Sequence, residues 1–207
     1  MSIEHSKRHN VVILSGLSNG VENIRRAINW WRNKGLEPHV LKVGWRDGSA
    51  EFQPKLDEIL GHIDNLSDQG RLSVVGTSAG GSVALNVLLH RPDLVERAVN
   101  ICGRLRAGKR RWRSLERMSA TSEPFRYSVL LFEQSEPQIS DELRKRIMTV
   151  TARFGDELVP ADTSVLEGAY NIKVPTGEHV FSIGMSLTLL AKPVIDFIQF
   201  GQPTTKE

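Results

Sequence analysis

Apolar residues are distributed along the chain in two alternating patterns. Short, continuous apolar runs are typical of strands that are buried on both faces. They predict strands at residues 11–14, 38–43, 72–75, 98–102, 147–152 and 172–174. Between these runs, apolar residues recur three or four positions apart, which is typical of amphipathic helices. They predict helices at residues 21–34, 56–70, 83–90, 124–133, 140–146 and 181–200, with Gly184 and Pro193 as candidate breaks in the last.

Strands and helices therefore alternate through the chain. Because parallel strands need a crossover between them, this order predicts an α/β fold, with a mostly parallel sheet of about six strands and helices on both faces. The 207 residues suffice for one domain with a sizeable core, and we expect residues 1–207 to form it. Residues 1–10 are predicted to be a polar leader. In such sheets, functional residues gather at the carboxyl ends of the strands.

The composition is typical of a soluble globular protein, with 40% hydrophobic and 25% charged residues. No apolar run is long enough to cross a bilayer, and the polar N-terminus lacks the apolar region of a signal peptide. The chain has one cysteine, Cys102, which excludes an internal disulfide and which we expect to be a buried thiol. These features predict a cytoplasmic protein.

Positive charge is concentrated in one segment. The net charge is +3, but residues 104–117 alone carry +6, so the remainder is net acidic. The basic residues of this segment are Arg104, Arg106, Lys109, Arg110, Arg111, Arg113 and Arg117. Since the segment follows the predicted fourth strand, we expect a basic insertion over residues 103–124 near the carboxyl edge of the sheet. It could bind an acidic substrate or an anionic surface, or be a solvated helix or flap.

A strand-to-helix turn at residues 76–80 carries a candidate nucleophile, Ser78. The segment is Gly-Thr-Ser-Ala-Gly and matches the pattern G-x-S-x-G. A turn this sharp strains its central residue, and small residues two positions before and after it relieve the crowding. Ser78 would stand at a helix N-terminus, where free N–H groups favour negative charge. The alternative is a Gly/Ser loop in which Ser78 caps the helix.

A nucleophilic serine needs a base, and the chain offers six histidines. Five of them lie in the leader, at the wrong end of a strand, inside a helix or far along the helix after Ser78: His5, His9, His39, His62 and His90. Elimination leaves His179, which follows the last predicted strand at the carboxyl edge of the sheet. We therefore predict that His179 is the base.

The acid that orients the base is predicted to be Asp156. It follows the strand predicted at 147–152 and so lies at the same edge of the sheet. Glu157 is adjacent and is the fallback candidate. The alternative is that Asp156 only caps the short helix that follows it.

Three motifs together resemble those of the α/β-hydrolase superfamily, over residues 11–200. They are Gly-Thr-Ser-Ala-Gly at 76–80, Gly-Asp-Glu-Leu-Val-Pro at 155–160 and Gly-Glu-His at 177–179. The order serine, aspartate, histidine along the chain is also that of α/β-hydrolases. The resemblance implies a catalytic triad of Ser78, Asp156 and His179 in a minimal form of the fold, without its first two strands and without a large lid.

The resemblance also implies an oxyanion hole of two backbone N–H groups. The candidates are Leu17, in the loop after the first strand, and Ala79, after the nucleophile. Members of the family often have His-Gly in the first loop, where this chain has Ser15 and Gly16. Without a lid, loops must shape the substrate site. The candidate substrate-binding residues on these loops are Trp45, Arg104 and Trp112.

The sequence contains no phosphate loop, dinucleotide fingerprint or Cys/His metal spacing, so we predict no cofactor and no metal. The predicted function is hydrolysis of a carboxylic ester or thioester through an acyl-enzyme, with a small-molecule substrate and no nucleic-acid partner. Two alternatives are a non-catalytic binding protein of the same fold and an anionic-surface adaptor acting through residues 104–117. The natural substrate, the choice among ester, thioester, lactone and amide, and the oligomeric state stay open.

Overall fold

A sheet of six parallel strands lies at the centre of the molecule, in the order β2-β1-β3-β4-β5-β6. The computed structural model describes residues 8–18, 20–108 and 114–203. The strands are β1 (His9–Leu14), β2 (Leu36–Leu41), β3 (Arg71–Thr77), β4 (Arg97–Ile101), β5 (Ile147–Ala152) and β6 (Tyr170–Val174). The predicted α/β class with a parallel sheet is confirmed.

Helices lie in the connections between the strands. They are α1 (Val21–Ile28), α2 (Gln53–Ser67), α3 (Gly80–His90), α4 (Leu115–Met118), α5 (Glu123–Ser135), α6 (Asp141–Arg144), α7 (His179–Leu187) and α8 (Lys192–Phe200). Short 3₁₀ helices are formed by Asn29–Lys34, Glu136–Gln138 and Ala161–Thr163. The predicted strand and helix segments are all present, most of them with shifted ends.

The core has two layers, one on each face of the sheet. Successive residues of β1 point to opposite faces, so Val12 and Leu14 join one apolar cluster while Val11 and Ile13 join the other. The first cluster packs against α2, α3 and α5, and the second against α1, α7 and α8. Helices therefore cover both faces, as the strands' continuous apolar runs predict.

The first strand begins inside the predicted polar leader. His9 is only 4% exposed, and its Nε2 lies 2.9 Å from Ser73 Oγ on β3. Asn10 is buried as well. Both residues belong to β1, so the prediction of a leader extending to residue 10 is wrong. Cross-strand pairing buries these two polar side chains, which the apolar pattern alone does not indicate.

The C-terminal helical region is interrupted after Leu187, and Gly184 lies within α7. The indole N–H groups of Trp30 and Trp31 both donate to the Leu187 carbonyl oxygen, at 3.4 and 3.0 Å. These tryptophans lie in the 3₁₀ helix Asn29–Lys34. The carbonyl group of Leu187 is at the C-terminal end of α7, where carbonyl groups have no partner within the helix. The two indole N–H groups supply that partner. The helix α7 therefore ends at a residue whose carbonyl group is bonded by two tryptophans from a distant part of the chain.

No single helix in the described ranges is both long and apolar enough to cross a membrane. The helices α7 and α8 reach that length only as a pair, which is bent by 54°.

Acidification is expected to destabilise the fold through His9. Burial, and then the positive charge of Arg71, lower the pKa of His9 from 6.5 to about 4. The stability that the neutral His9 ring contributes is fully present above pH 6.5, where the ring is neutral in both the folded and the unfolded chain. As the pH falls toward 4, the unfolded chain binds the proton first, and about 2 kcal/mol of stability is lost. Urea unfolding at about pH 7.5 and about pH 4.5 measures this loss.

The matched control for this experiment is His9→Gln, which keeps polar atoms at the same place but does not titrate. Between the two pH values, the free energy of unfolding of this variant should fall by about 2 kcal/mol less than that of the wild type. An equal fall in both proteins would show that His9 does not contribute.

Candidate active site

A sharp turn joins β3 to α3 and carries Ser78. Thr77 ends the strand and Gly80 begins the helix. Ser78 has a φ of 52°, in the left-handed region that residues other than glycine rarely adopt. Its backbone N–H donates to the Ile101 carbonyl oxygen at 2.9 Å, which ties the turn to the end of β4. The strained turn that the sequence predicts is present.

Two glycines make this turn sterically feasible. A Cβ on Gly76 would lie 2.0 Å from the carbonyl oxygen of Gly80. A Cβ on Gly80 would lie 2.3 Å from the carbonyl oxygen of Leu14 on β1. Since both neighbours are backbone atoms, no side-chain rotation can relieve the overlap. The two glycines of the G-x-S-x-G pattern are therefore required by close backbone approach.

His179 is the first residue of α7, and its ring lies between Ser78 and Asp156. Nε2 is 2.8 Å from Ser78 Oγ, and Nδ1 is 2.7 Å from Asp156 Oδ2. An ionised carboxylate only accepts hydrogen bonds, so the proton of the neutral ring lies on Nδ1. Nε2 then accepts the hydrogen bond from the Ser78 hydroxyl. This is the arrangement that makes a ring nitrogen available as a base.

Asp156 is held as a carboxylate. Its Oδ1 accepts hydrogen bonds from the backbone N–H groups of Leu158 and Val159, both at 2.8 Å. Burial favours a raised pKa, but the hydrogen bonds from His179, Val159 and Leu158 outweigh it and lower the pKa of Asp156 below its usual value. Asp156 therefore both caps its own turn and bonds the His179 ring, through different oxygens.

The hydrogen bonds decide between the alternatives that the sequence leaves open. Ala79, and not Ser78, occupies the N-cap position of α3, and the Ser78 hydroxyl bonds His179 instead. Glu157, the fallback acid, bonds the main chain of His179, with Oε2 2.9 Å from the backbone nitrogen. Asp156 is the carboxylate that contacts the ring.

Several solved structures share this fold at low sequence identity. A structure of the metagenome-derived lipolytic enzymes LipS and LipT is 12% identical, with a TM-score of 0.67, and 93% of this chain and 94% of that chain are covered. The chain has the α/β-hydrolase fold. Est1E from Butyrivibrio proteoclasticus is 14% identical, with a TM-score of 0.64 and coverage of 94% and 88%. A pyrethroid hydrolase from Sphingobium faniae is 13% identical, with a TM-score of 0.64 and coverage of 93% and 98%. No family model and no curated protein matches the sequence.

In this α/β-hydrolase fold, the loop after β1 lies against Ser78. A Cβ on Gly16 would lie 2.9 Å from Ser78 Cβ and 3.5 Å from Ser78 Oγ, so only glycine allows the loop to come this close. Leu17 follows and packs partly buried against the core, while Ala79 is buried directly after Ser78. The structure thus brings the segments of both candidate oxyanion residues to the same serine.

Two predicted substrate-binding residues are buried instead. Trp45 is 1% exposed; its indole N–H donates to the Ser15 carbonyl oxygen at 2.9 Å, and its ring packs edge-on against Phe125. Arg104 is also 1% exposed, with Nη1 3.2 Å from Met118 Sδ. The prediction that these side chains contact substrate is wrong, because both turn inward onto the core of the α/β-hydrolase fold.

The basic segment 104–117 is partly described. Arg106 pairs with Glu136, with Nε 2.6 Å from Oε2, and donates to the Val165 carbonyl oxygen at 2.7 Å. This arginine therefore joins loops within the fold, and its charge is balanced locally. Arg117 is exposed. Trp112 and the basic residues at 109, 110, 111 and 113 lie outside the described residues.

The sequence analysis did not predict four exposed apolar side chains that stand beside Asp156 and His179. They form what is called here the apolar rim: Phe154, Leu158, Val180 and Phe181, with exposed fractions of 72%, 44%, 68% and 55%. Each stands within two residues of Asp156 or His179 in the sequence. The available signal in the sequence was the presence of large apolar residues directly beside the candidate catalytic residues. Several exposed apolar side chains beside one candidate site indicate a binding surface more strongly than scattered single residues do.

Cys102 lies beside this site as a buried thiol. Burial, reinforced by the negative charges of Asp156 and Glu157, raises the pKa of Cys102 to about 12. The thiol therefore stays protonated and unreactive at neutral pH. Within the described ranges, no three or more His, Cys, Asp or Glu residues are grouped so that they could hold a metal ion.

Proposed function

We propose that this protein is a serine hydrolase that cleaves carboxylic esters or thioesters through an acyl-enzyme. The observation that carries the proposal is the hydrogen-bonded series from Ser78 to His179 to Asp156, with distances of 2.8 and 2.7 Å. A serine hydroxyl is a weak nucleophile until a base takes its proton, and this series supplies the base together with the acid that orients it.

The proposed reaction has two half-reactions. Ser78 Oγ attacks the carbonyl carbon while its proton passes to His179 Nε2. The tetrahedral intermediate collapses as the bond to the alcohol or thiol breaks, and His179 returns the proton to that leaving group. Water then attacks the acyl carbon with His179 again as base, the bond from that carbon to Ser78 Oγ breaks, and His179 returns the proton to Oγ as the acid is released. Asp156 stabilises the imidazolium that forms in each half-reaction.

The oxyanion of the tetrahedral intermediate would be bound by the backbone N–H groups of Ala79 and Leu17. Ala79 stands at the N-terminus of α3, where unpaired N–H groups and the helix dipole favour negative charge. The close approach of Gly16 to Ser78 supports the second donor, because it brings the neighbouring Leu17 to the nucleophile. One such donor is worth a factor of about 10² to 10³ in rate.

The similar structures support an ester substrate. They include proteins described as lipolytic enzymes and as a pyrethroid hydrolase, and the shared fold extends over 93% of this chain in each case. Of the three described arginines of segment 104–117, Arg104 is buried, Arg106 pairs with Glu136 and Arg117 alone is exposed, which gives less support to an anionic-surface adaptor.

The apolar rim supports a substrate with a large apolar part. Phe154 and Leu158 lie on the loop that carries Asp156, and Val180 and Phe181 follow His179 in the first turn of α7. An apolar chain extending from a bound ester can therefore cover them. Covering apolar surface contributes about 25 cal/mol per Å², which favours long or aromatic acyl esters over acetyl esters.

Removing part of the apolar rim is expected to lower activity on apolar esters selectively. In the double variant Phe154→Ser, Phe181→Ser, kcat/KM for a p-nitrophenyl decanoate should fall about tenfold, because apolar contact is lost. The value for p-nitrophenyl acetate should change less than about twofold, since the short acyl group does not reach the rim. Steady-state kinetics on the two esters provides the comparison.

Leu189→Ser is the matched control for the rim variant. Leu189 is 82% exposed but lies beyond the far end of α7 from His179, about 13 Å along the helix. Its loss should leave the ratio between the two esters unchanged. If the rim variant also keeps this ratio, the rim does not select the substrate.

The experiment that tests the function is labelling with a fluorophosphonate, which reacts with activated serines. We expect one adduct, located on Ser78 by peptide mass spectrometry, and no adduct in Ser78→Ala. Hydrolysis of p-nitrophenyl esters should disappear in the same variant. A folded wild-type protein that neither takes up the probe nor hydrolyses esters would favour the non-catalytic alternative.

A further inference from the structure

The loop that carries Asp156 is joined to the segment that leads into α7. The loop after β5 shares three backbone hydrogen bonds with the chain between the end of β6 and the start of α7. Arg153 N–H donates to Val174 O at 2.8 Å, Phe154 N–H to Thr176 O at 3.0 Å, and Glu178 N–H to Gly155 O at 3.2 Å. Asp156 and Glu157 follow directly where this ladder ends. Their side chains therefore lie beside the start of α7.

Two neighbouring carboxylates contact one histidine at two different points. Asp156 Oδ2 lies 2.7 Å from the ring nitrogen Nδ1 of His179, and Glu157 Oε2 lies 2.9 Å from its backbone nitrogen. The ring contacts to Asp156 and Ser78 do not by themselves fix the position of the main chain to which the ring is attached. The contact from Glu157 holds the main chain from which the ring projects.

The N-terminus of α7 depends on carboxylates for its hydrogen bonds. The first N–H group, of His179, is bonded by Glu157, and the next two, of Val180 and Phe181, are bonded by Glu178 at 3.1 and 2.6 Å. Glu178 has a φ of 75°, which is costly for a residue with a side chain. The helix start is thus held against local strain, and Glu157 links it to the loop that carries Asp156.

We propose that Glu157 is a positioning residue, whose carboxylate holds the His179 main chain so that the ring stays between Asp156 and Ser78. The inference rests on the proposed function for its catalytic consequence. Misplacement of a catalytic group by about 1 Å can cost a factor of about 10² in rate. Because the Glu157 side chain is exposed to solvent, we expect a smaller effect, about tenfold.

Two substitutions separate positioning from charge. Glu157→Ala removes the acceptor, whereas Glu157→Gln removes the charge but keeps an oxygen that can accept from the His179 N–H group. We expect kcat for p-nitrophenyl acetate to fall about tenfold in Glu157→Ala with KM unchanged, and to stay within about twofold of wild type in Glu157→Gln. Fluorophosphonate titration of active sites corrects each kcat for any unfolded fraction.

A spectroscopic readout tests the same contact without turnover. The proton shared by His179 Nδ1 and Asp156 should give a far-downfield resonance in the wild type and in Glu157→Gln. In Glu157→Ala it should be weakened or lost through exchange with water. An unchanged resonance together with unchanged kcat in Glu157→Ala would overturn the proposal. An equal loss in both variants would assign the effect to charge and would overturn it as well.

The two proposals fail in different ways. A wild-type protein without probe labelling or ester hydrolysis would remove the proposed function, while the resonance would still report whether Glu157 holds the Asp156–His179 pair. A wild-type protein with full activity, and a Glu157→Ala variant with equal activity and resonance, would remove only the role of Glu157.

Discussion

Replacement of His179 by alanine is expected to lower kcat for ester hydrolysis by about 10⁴-fold or more. Without the ring, the Ser78 hydroxyl has no base at 2.8 Å, and the leaving group has no proton donor. The nucleophile and the base of a triad act as a unit, so removal of the base alone costs nearly as much as removal of all three members. Binding of the ester does not depend on the ring, so KM should change much less than kcat.

Asp156→Asn is expected to lower kcat by about 10⁴-fold although it changes few atoms. The amide can turn an N–H group toward His179 Nδ1, which would then accept rather than donate. Nε2 would carry the proton and could no longer take one from Ser78. Single-turnover kinetics with p-nitrophenyl acetate on folded, purified variants measures both effects.

Phe200→Ser is a suitable control for the kinetic variants. Phe200 is 73% exposed at the end of α8 and lines a surface cavity with Arg97 and Tyr170, which begin β4 and β6 at the edge of the sheet opposite Ser78. The variant should keep wild-type kcat. Near-normal kcat in His179→Ala would contradict the proposed mechanism and would require a different base.

Replacement of Gly76 by alanine is expected to remove at least about 3 kcal/mol of folding free energy. The added Cβ would stand 2.0 Å from the carbonyl oxygen of Gly80, so the start of α3 would have to move away from β3. Since α3 is buried among the sheet, α2 and α5, such a movement disrupts one of the two core layers. Activity should be lost with the fold, because the same movement displaces Ser78.

Gly61→Ala is the matched control for this substitution. Gly61 lies in the middle of α2, is exposed, and would carry a Cβ with no atom within 4 Å. Alanine is the better helix former there, by about 1 kcal/mol, so its stability should rise slightly. Urea unfolding followed by circular dichroism compares the two variants. Equal stability of Gly76→Ala and wild type would show that the turn adjusts without cost.

Sequence reasoning was accurate where the information is local. The apolar runs predicted all six strands, and the strand predicted at 147–152 coincides with Ile147–Ala152. The G-x-S-x-G pattern located Ser78 because each glycine is demanded by a backbone contact within the turn or beside it. Placement at carboxyl ends of strands selected Asp156 and His179, which the fold brings to within 2.7 Å of each other.

Sequence reasoning was wrong where burial depends on distant segments. Trp45 and Arg104 have residue types and loop positions that are typical of a binding site, yet both turn inward. Trp45 is buried because Phe125, eighty positions away in the chain, packs against its ring. The prediction that His9 belongs to a leader is wrong because the apolar pattern near residue 9 does not show that this side chain is buried. His9 is buried through its contact with Ser73, on a strand far along the chain.

The sequence by itself determined the class of fold, the candidate nucleophile, base and acid, and the absence of motifs for common cofactors, because these follow from periodicity, glycine spacing and chain order. Only the tertiary structure decided which carboxylate contacts the His179 ring and which holds its main chain. Asp156 and Glu157 are adjacent and chemically alike, and their roles separate only through the direction of each side chain toward a helix that begins 22 residues later. The tertiary structure also decided that the apolar rim is exposed, because a side chain is buried only where another segment packs over it.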